Sequence, residues 1–194
     1  MTIRLSNILL LDCTLNNDPS EGTFLKEMLE SCQFKYNVYV GYERIKTKTA
    51  FIKALKNENC DAVHISAHGG ILTKTERNRR VNLGKSREHM YIDLPFGTVY
   101  PHEIKGKIGK RAKLVFLNAC AMDWKVVADS FFGPNVRYFL APYYNVDFDD
   151  AMIFAARFYQ RIYSKKNTPD DAFSRAREEL KLGSMYKSIW KKDS

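Results

Sequence analysis

Two short segments carry residues that could do chemistry together. One is HISAHGG, which ends in His68, Gly69 and Gly70; the other is LNACAM, with Cys120 after Asn118 and Ala119. A thiol becomes a good nucleophile when a base or positive charge lies beside it, and an imidazole supplies either. Glycine has no side chain, so the Gly69 backbone N–H can approach a substrate carbonyl closely. Together with the Cys120 N–H it could hold an oxyanion. His64 lies four residues before His68, about 13 Å away along a strand, so the two cannot share a metal or a proton. His64 reads as a core histidine. Cys13, Cys32 and Cys60 read as packing residues, since no CxxC pairing or zinc-type ligand spacing occurs.

The elements around these segments must bring them to one place. Residues 7–13 (NILLLDC) form a nearly continuous apolar run that suits a strand buried on both faces. Asp18-Pro19 offers a helix start, followed by Phe24, Leu25, Met28, Leu29 and Cys32 at helical spacing. Further strands are expected over 36–42, 62–67, 113–119 and 136–144, the last ending regular structure by Ala141 before Pro142. Thr49 can cap a helix with Phe51, Ala54 and Leu55 buried. Helices are also expected over 125–132, 149–163 and 169–180. The second of these carries an Ala151, Ala155, Phe158, Ile162 stripe, and the third opens with a Thr168–Asp171 capping box. Such alternation implies an α/β fold, a mostly parallel central sheet with helices on both faces. In such a sheet ligands bind at the carboxyl ends of the strands, where His68 and Cys120 fall. Adjacent parallel strands are about 4.8 Å apart, so the two tips can share a crevice.

Residues 71–111 interrupt the alternation. They open with a basic stretch, 74–87, continue as a strand-like HMYIDLPFGTVY bending at Phe96-Gly97, and end in a helix near His102. The basic stretch reads as a solvated charged loop, with a gating or cleaved segment as the sharper alternative.

Length and charge bound the rest. The chain has 194 residues and 45% hydrophobic content, which suits one domain over 1–194 with its own core. No apolar run reaches the roughly 20 residues of a membrane helix, and the start lacks a signal-peptide core. A soluble, cytoplasmic protein with reduced thiols is expected. The net charge of +9 allows an acidic partner or nucleic acid, but no nucleic-acid motif accompanies it.

The ordered set of segments resembles the caspase-like cysteine peptidases, and among them the CHAT domains of bacteria. ALKNENCDAVHISAHGG is similar to that family's helix, strand and His-Gly segment, and KLVFLNACAM to its Ala-Cys segment. Residues 148–181 are similar to its two closing helices, including the Ala172, Ala176, Arg177 pattern, and the hairpin near 87–99 has a counterpart there. The resemblance implies a caspase-like three-layer sandwich with a small β-hairpin insertion between the His and Cys segments. It implies His68 as general acid/base, Cys120 as nucleophile, and the Gly69 and Cys120 amides as oxyanion donors, acting on a protein substrate with no metal or organic cofactor. Related groups that cleave after Arg or Lys carry Asp two residues before the Cys, where this chain has Asn118, so the residue preferred at the cut stays open. Asp12, Asp123 and Asp147, near expected strand ends, could supply an acidic pocket. A protease of this kind needs restraint, so an activating or inhibiting protein partner, a processing cut or oligomerisation is expected. The resemblance further implies a role in stress, cell suicide or phage defence. The alternative is an inactive caspase-fold module that binds a partner or nucleic acid through its basic face.

Overall fold

A computed structural model describes residues 5–15, 20–71, 90–165, 167–183 and 185–192. The expected Asp18-Pro19 cap and the basic stretch 74–87 lie outside them.

The strands are short and apolar, and each sends alternate side chains to opposite faces. In β1 (Asn7–Asp12), Ile8 and Leu10 join one apolar cluster while Leu9 and Leu11 join a second. β3 (Ala62–Ser66) and β7 (Leu114–Asn118) divide in the same way: Ala62, Leu114 and Phe116 on one side, Val63, Ile65, Val115 and Leu117 on the other. The sheet is therefore covered twice. The first face carries α1 (Glu21–Ser31), α6 (Phe148–Lys165) and α7 (Pro169–Leu180). The second carries α3 (Lys48–Leu55), α4 (Pro101–Ile104) and α5 (Lys125–Phe131). A short helix, α2 (Gln33–Tyr36), precedes β2 (Tyr39–Arg44).

Sheet order is β2-β1-β3-β7-β8-β9, where β8 is Tyr138–Leu140 and β9 is Ile189–Lys191. All pairings are parallel except β8 with β9. A second sheet, β4-β5-β6 (His68–Ile71, Met90–Leu94, Gly97–Val99), is the hairpin insertion. Gly97 takes a φ of 120°, which suits a residue without Cβ at the bend. Met90, Ile92, Leu94 and Val99 anchor the hairpin in the second cluster.

Several boundaries differ from the sequence reading. The first helix is capped by the Ser20 side chain, which accepts from the Thr23 amide, and Phe24 on its stripe is exposed. Thr47 rather than Thr49 caps α3, accepting from the Ala50 amide. The second strand starts three residues late because Tyr36 ends α2 and Asn37 turns in the left-handed region. β9 falls in a Lys-rich tail without strand periodicity. The Thr168–Asp171 capping box and the bounds of α7 are as expected. No helix among the described residues is long and apolar enough to cross a membrane.

One buried carboxylate ties the amino-terminal ends of the central strands. Asp61 Oδ2 accepts from the Ser6 and Asn7 amides at 3.0 Å, and Oδ1 from Arg111 Nε and Lys113 Nζ at 3.1 Å. Burial alone would raise its pKa, but these hydrogen bonds outweigh that and hold it below the ordinary value. Asp61→Ala is expected to lower unfolding free energy by about 3 kcal/mol in urea titration at pH 7. Because the folded pKa is the lower one, this stabilisation is present above the unfolded carboxyl pKa and is lost as pH falls through the folded value. The difference between wild type and variant should therefore shrink in acid; a constant difference would contradict the assignment.

Candidate active site

The ends of β3 and β7 lie side by side, with Ser66 in register with Asn118, and the Ala67 amide donates to the Asn118 carbonyl at 3.2 Å. From these ends the chain leaves in two directions. After β3 it turns into the hairpin sheet at His68, which is exposed. After β7 it turns sharply through Cys120 and Ala121, and Ala121 adopts a left-handed φ of 57°. That conformation disfavours a residue with a Cβ and bends the chain abruptly past the thiol. The turn is held by the Ala121 amide on the Tyr144 carbonyl at 3.2 Å, and by the Met122 and Asp123 amides on the Pro142 carbonyl at 2.9 Å. Among the described residues, the Cys120 amide donates to no carbonyl.

Gly69 packs directly on this turn. A Cβ there would stand 2.8 Å from the Cys120 carbonyl oxygen and 3.1 Å from Ala119 Cβ. Backbone occupies that position, so a side chain could fit only if the two strand ends moved apart.

His68, Asn118, Cys120 and Asp147 line a single cavity of about 160 Å³, along with Thr14, Glu21 and Val146. The cavity thus gathers four of the side chains singled out by sequence. Cys120 is partly exposed, and its Sγ lies 3.7 Å from the Val146 carbonyl. Asp147 is exposed, just before α6.

Asp12 and Asp123 do not line that cavity, and their oxygens are committed elsewhere. Asp12 accepts from the Thr14 amide and hydroxyl, the Ser20 hydroxyl and the Tyr42 hydroxyl. Burial would raise its pKa, but these bonds lower it on balance, so it stays ionised and links Thr14 to Ser20 at the start of α1. Asp123 accepts from the Ser188 hydroxyl and the Trp190 indole N–H. Burial outweighs those bonds and pushes its carboxyl above the ordinary value.

Sequence reasoning missed Glu21, a carboxylate only 2% exposed that lines the same cavity. Its Oε1 accepts from Asn118 Nδ2 at 2.6 Å and lies 3.1 Å from His64 Nε2. Asn118 Oδ1 accepts from the Tyr186 hydroxyl at 2.7 Å, and Tyr159 meets His64 Nδ1 at 3.3 Å. Burial, reinforced by the Glu21 charge, raises the Tyr186 phenol well above its ordinary value and so keeps it a donor. His64 is thus a satisfied core histidine. In sequence Glu21 looks like any first-turn carboxylate placed to suit a helix dipole, and no spacing marks it. A second missed feature is an aromatic shelf beside the Cys120 turn. Trp124 stacks on Tyr143 with centroids 5.6 Å apart, and Lys187 Nζ lies over the Tyr143 ring at 3.5 Å.

Burial raises Cys13 well above the usual thiol value, helped by the neighbouring Asp12 charge, and burial raises Cys60 to about 11. Among the described residues, no group of three or more His, Cys, Asp or Glu could hold a metal ion.

A mostly parallel sheet between two helical layers, with a hairpin leaving the His strand and a cysteine at the tip of the next strand, defines the caspase-like fold. The CHAT domain model matches residues 15–190, so the chain belongs to the CHAT domain family. Among solved structures it is similar to the Arg-specific cysteine proteinase gingipain R, with a TM-score of 0.57 and 11% identity. That likeness covers 96% of this chain and 46% of the gingipain chain, so the chain spans about half of that protein. No curated protein matches its sequence.

Proposed function

We propose that this chain is a cysteine endopeptidase that cuts a protein substrate after a basic residue. The observation that carries this reading is the shared cavity, which His68 and Cys120 line together with the buried Glu21 carboxylate and the exposed Asp147. His68 takes the proton from Cys120, and the thiolate attacks the scissile carbonyl carbon. Negative charge then develops on the carbonyl oxygen, which the Gly69 and Cys120 amides stabilise. Collapse of the tetrahedral intermediate breaks the C–N bond, and His68 gives its proton to the leaving amine. Water, activated by the same imidazole, hydrolyses the thioester.

Glu21 and Asp147 support a Lys or Arg side chain in the cavity, since a low-dielectric site strengthens the attraction of a fixed carboxylate for a cation. Gingipain R is itself described as Arg-specific, which agrees with this preference. The enzyme would be held in check by a partner, a processing cut or oligomerisation, in a stress, cell-suicide or phage-defence setting.

The test is to compare new protein N-termini in cells producing the full chain with those in cells producing Cys120→Ala. The reading predicts cuts after Lys or Arg that vanish in the variant. Cuts that persist in the variant would contradict it.

A further inference from the structure

One hollow shares no lining residue with the cavity of His68 and Cys120. It measures about 840 Å³ and lies between α4, α5 and β9. A second hollow of about 410 Å³ adjoins it and shares Lys191 and Lys192, so the two form one trough. Lys105, Lys125, Lys191, Lys192 and Arg137 line it and are all exposed. Among the described residues lining the trough, Asp129 is the one acid; it pairs with Lys125 at 2.9 Å, and Lys191 pairs with Asp170 outside the lining at 3.1 Å, so the five cations still outnumber the two acids. Lys192 Nζ donates to the Gly133 carbonyl, so one cation is fixed over the junction of the two hollows. The trough runs past the end of β9 and the start of β8, where Tyr138 is in register with Lys191.

We propose that this trough binds an extended acidic peptide segment of a partner protein. Charge complementarity gives the sign of the ligand, because a concentration of like charge in a concave surface attracts and steers the opposite charge. Shape gives the class. Two joined hollows make an elongated groove, which fits an extended chain better than a compact ligand. Nucleic acid fits less well: the trough's tryptophan, Trp190, spends its indole N–H on Asp123 and is only partly exposed, so it offers a poor stacking platform. Occupancy also has a route to the candidate active site. Trp190 lines the trough and bonds to Asp123, whose amide is part of the turn carrying Cys120.

The test uses the full chain and a fluorescein-labelled peptide of eight glutamates, read by anisotropy at physiological salt. An eight-glutamine peptide and single-stranded oligo(dT) serve as comparisons. The proposal expects saturable binding of the glutamate peptide and at least tenfold weakening in Lys105→Glu/Lys192→Glu. The same charge change on the opposite face, Lys26→Glu/Lys35→Glu, should weaken binding less than threefold, and unchanged thermal melting would show that both variants fold. Equal weakening by the two variants would reduce the effect to net charge and overturn the proposal. Tighter binding of oligo(dT), or glutamine bound as well as glutamate, would also overturn it. None of these outcomes depends on whether Cys120 cleaves a substrate.

Discussion

Cys120→Ala is expected to abolish cleavage, lowering kcat/KM by at least about 1,000-fold, while His68→Ala gives a loss of the same order. The two losses should not add. When nucleophile and base act as one unit, removing either forfeits nearly the whole contribution of the pair. The double variant should then be no slower than either single variant, within about threefold. Neither change should unfold the chain, because His68 is exposed and Cys120 is only partly buried at the end of β7. Kinetics on a substrate identified from the new N-termini, with melting curves alongside, check this. Losses that multiply would mean that His68 and Cys120 act independently.

Glu21→Gln is expected to have the second largest effect, and a selective one. The substitution keeps the shape of a side chain that is 2% exposed and leaves an amide oxygen to accept from Asn118. It removes the charge. Truncating one partner of a buried charge pair costs about 2–5 kcal/mol, so kcat/KM for substrates with Arg or Lys at the cut should fall about 100-fold. Substrates with an uncharged residue there should change less than about threefold. A uniform loss across both classes would place Glu21 in the scaffold rather than in recognition. The Asn118–Tyr186 and His64–Tyr159 contacts make that alternative concrete, since they tie the same carboxylate into the first core cluster.

Much of this arrangement is legible in the sequence, for identifiable reasons. Strands buried on both faces, such as NILLLD and LVFLN, are continuous apolar runs, and α7 announces both its start and its cap. His68, Gly69 and Cys120 could be placed because strand ends are where an α/β sheet collects its chemistry. The hidden parts depend on contacts between distant residues. Glu21 meets Asn118 across 97 positions, and Asp123 is covered by residues more than 60 positions later. Neither pairing leaves a local pattern. β9 is equally silent, because three residues in a Lys-rich tail become a strand only by pairing with β8. Proximity to a strand end brought Asp12 and Asp123 forward as acidic candidates, yet neighbouring hydroxyls and an indole occupy their oxygens.

Activation of Cys120 by His68 can be read by alkylation, which needs neither a substrate nor an activator. The native protein and His68→Ala would each be pulsed with iodoacetamide at pH 7, and each cysteine followed by mass spectrometry. Cys13 and Cys60 serve as internal references, since burial raises both thiols. Cys120 is expected to be labelled first in the native protein, at least about tenfold faster than Cys32, and His68→Ala to remove that lead while the other thiols keep their rates. A Cys120 labelled no faster than Cys32, or at the same rate with and without His68, would contradict activation by His68.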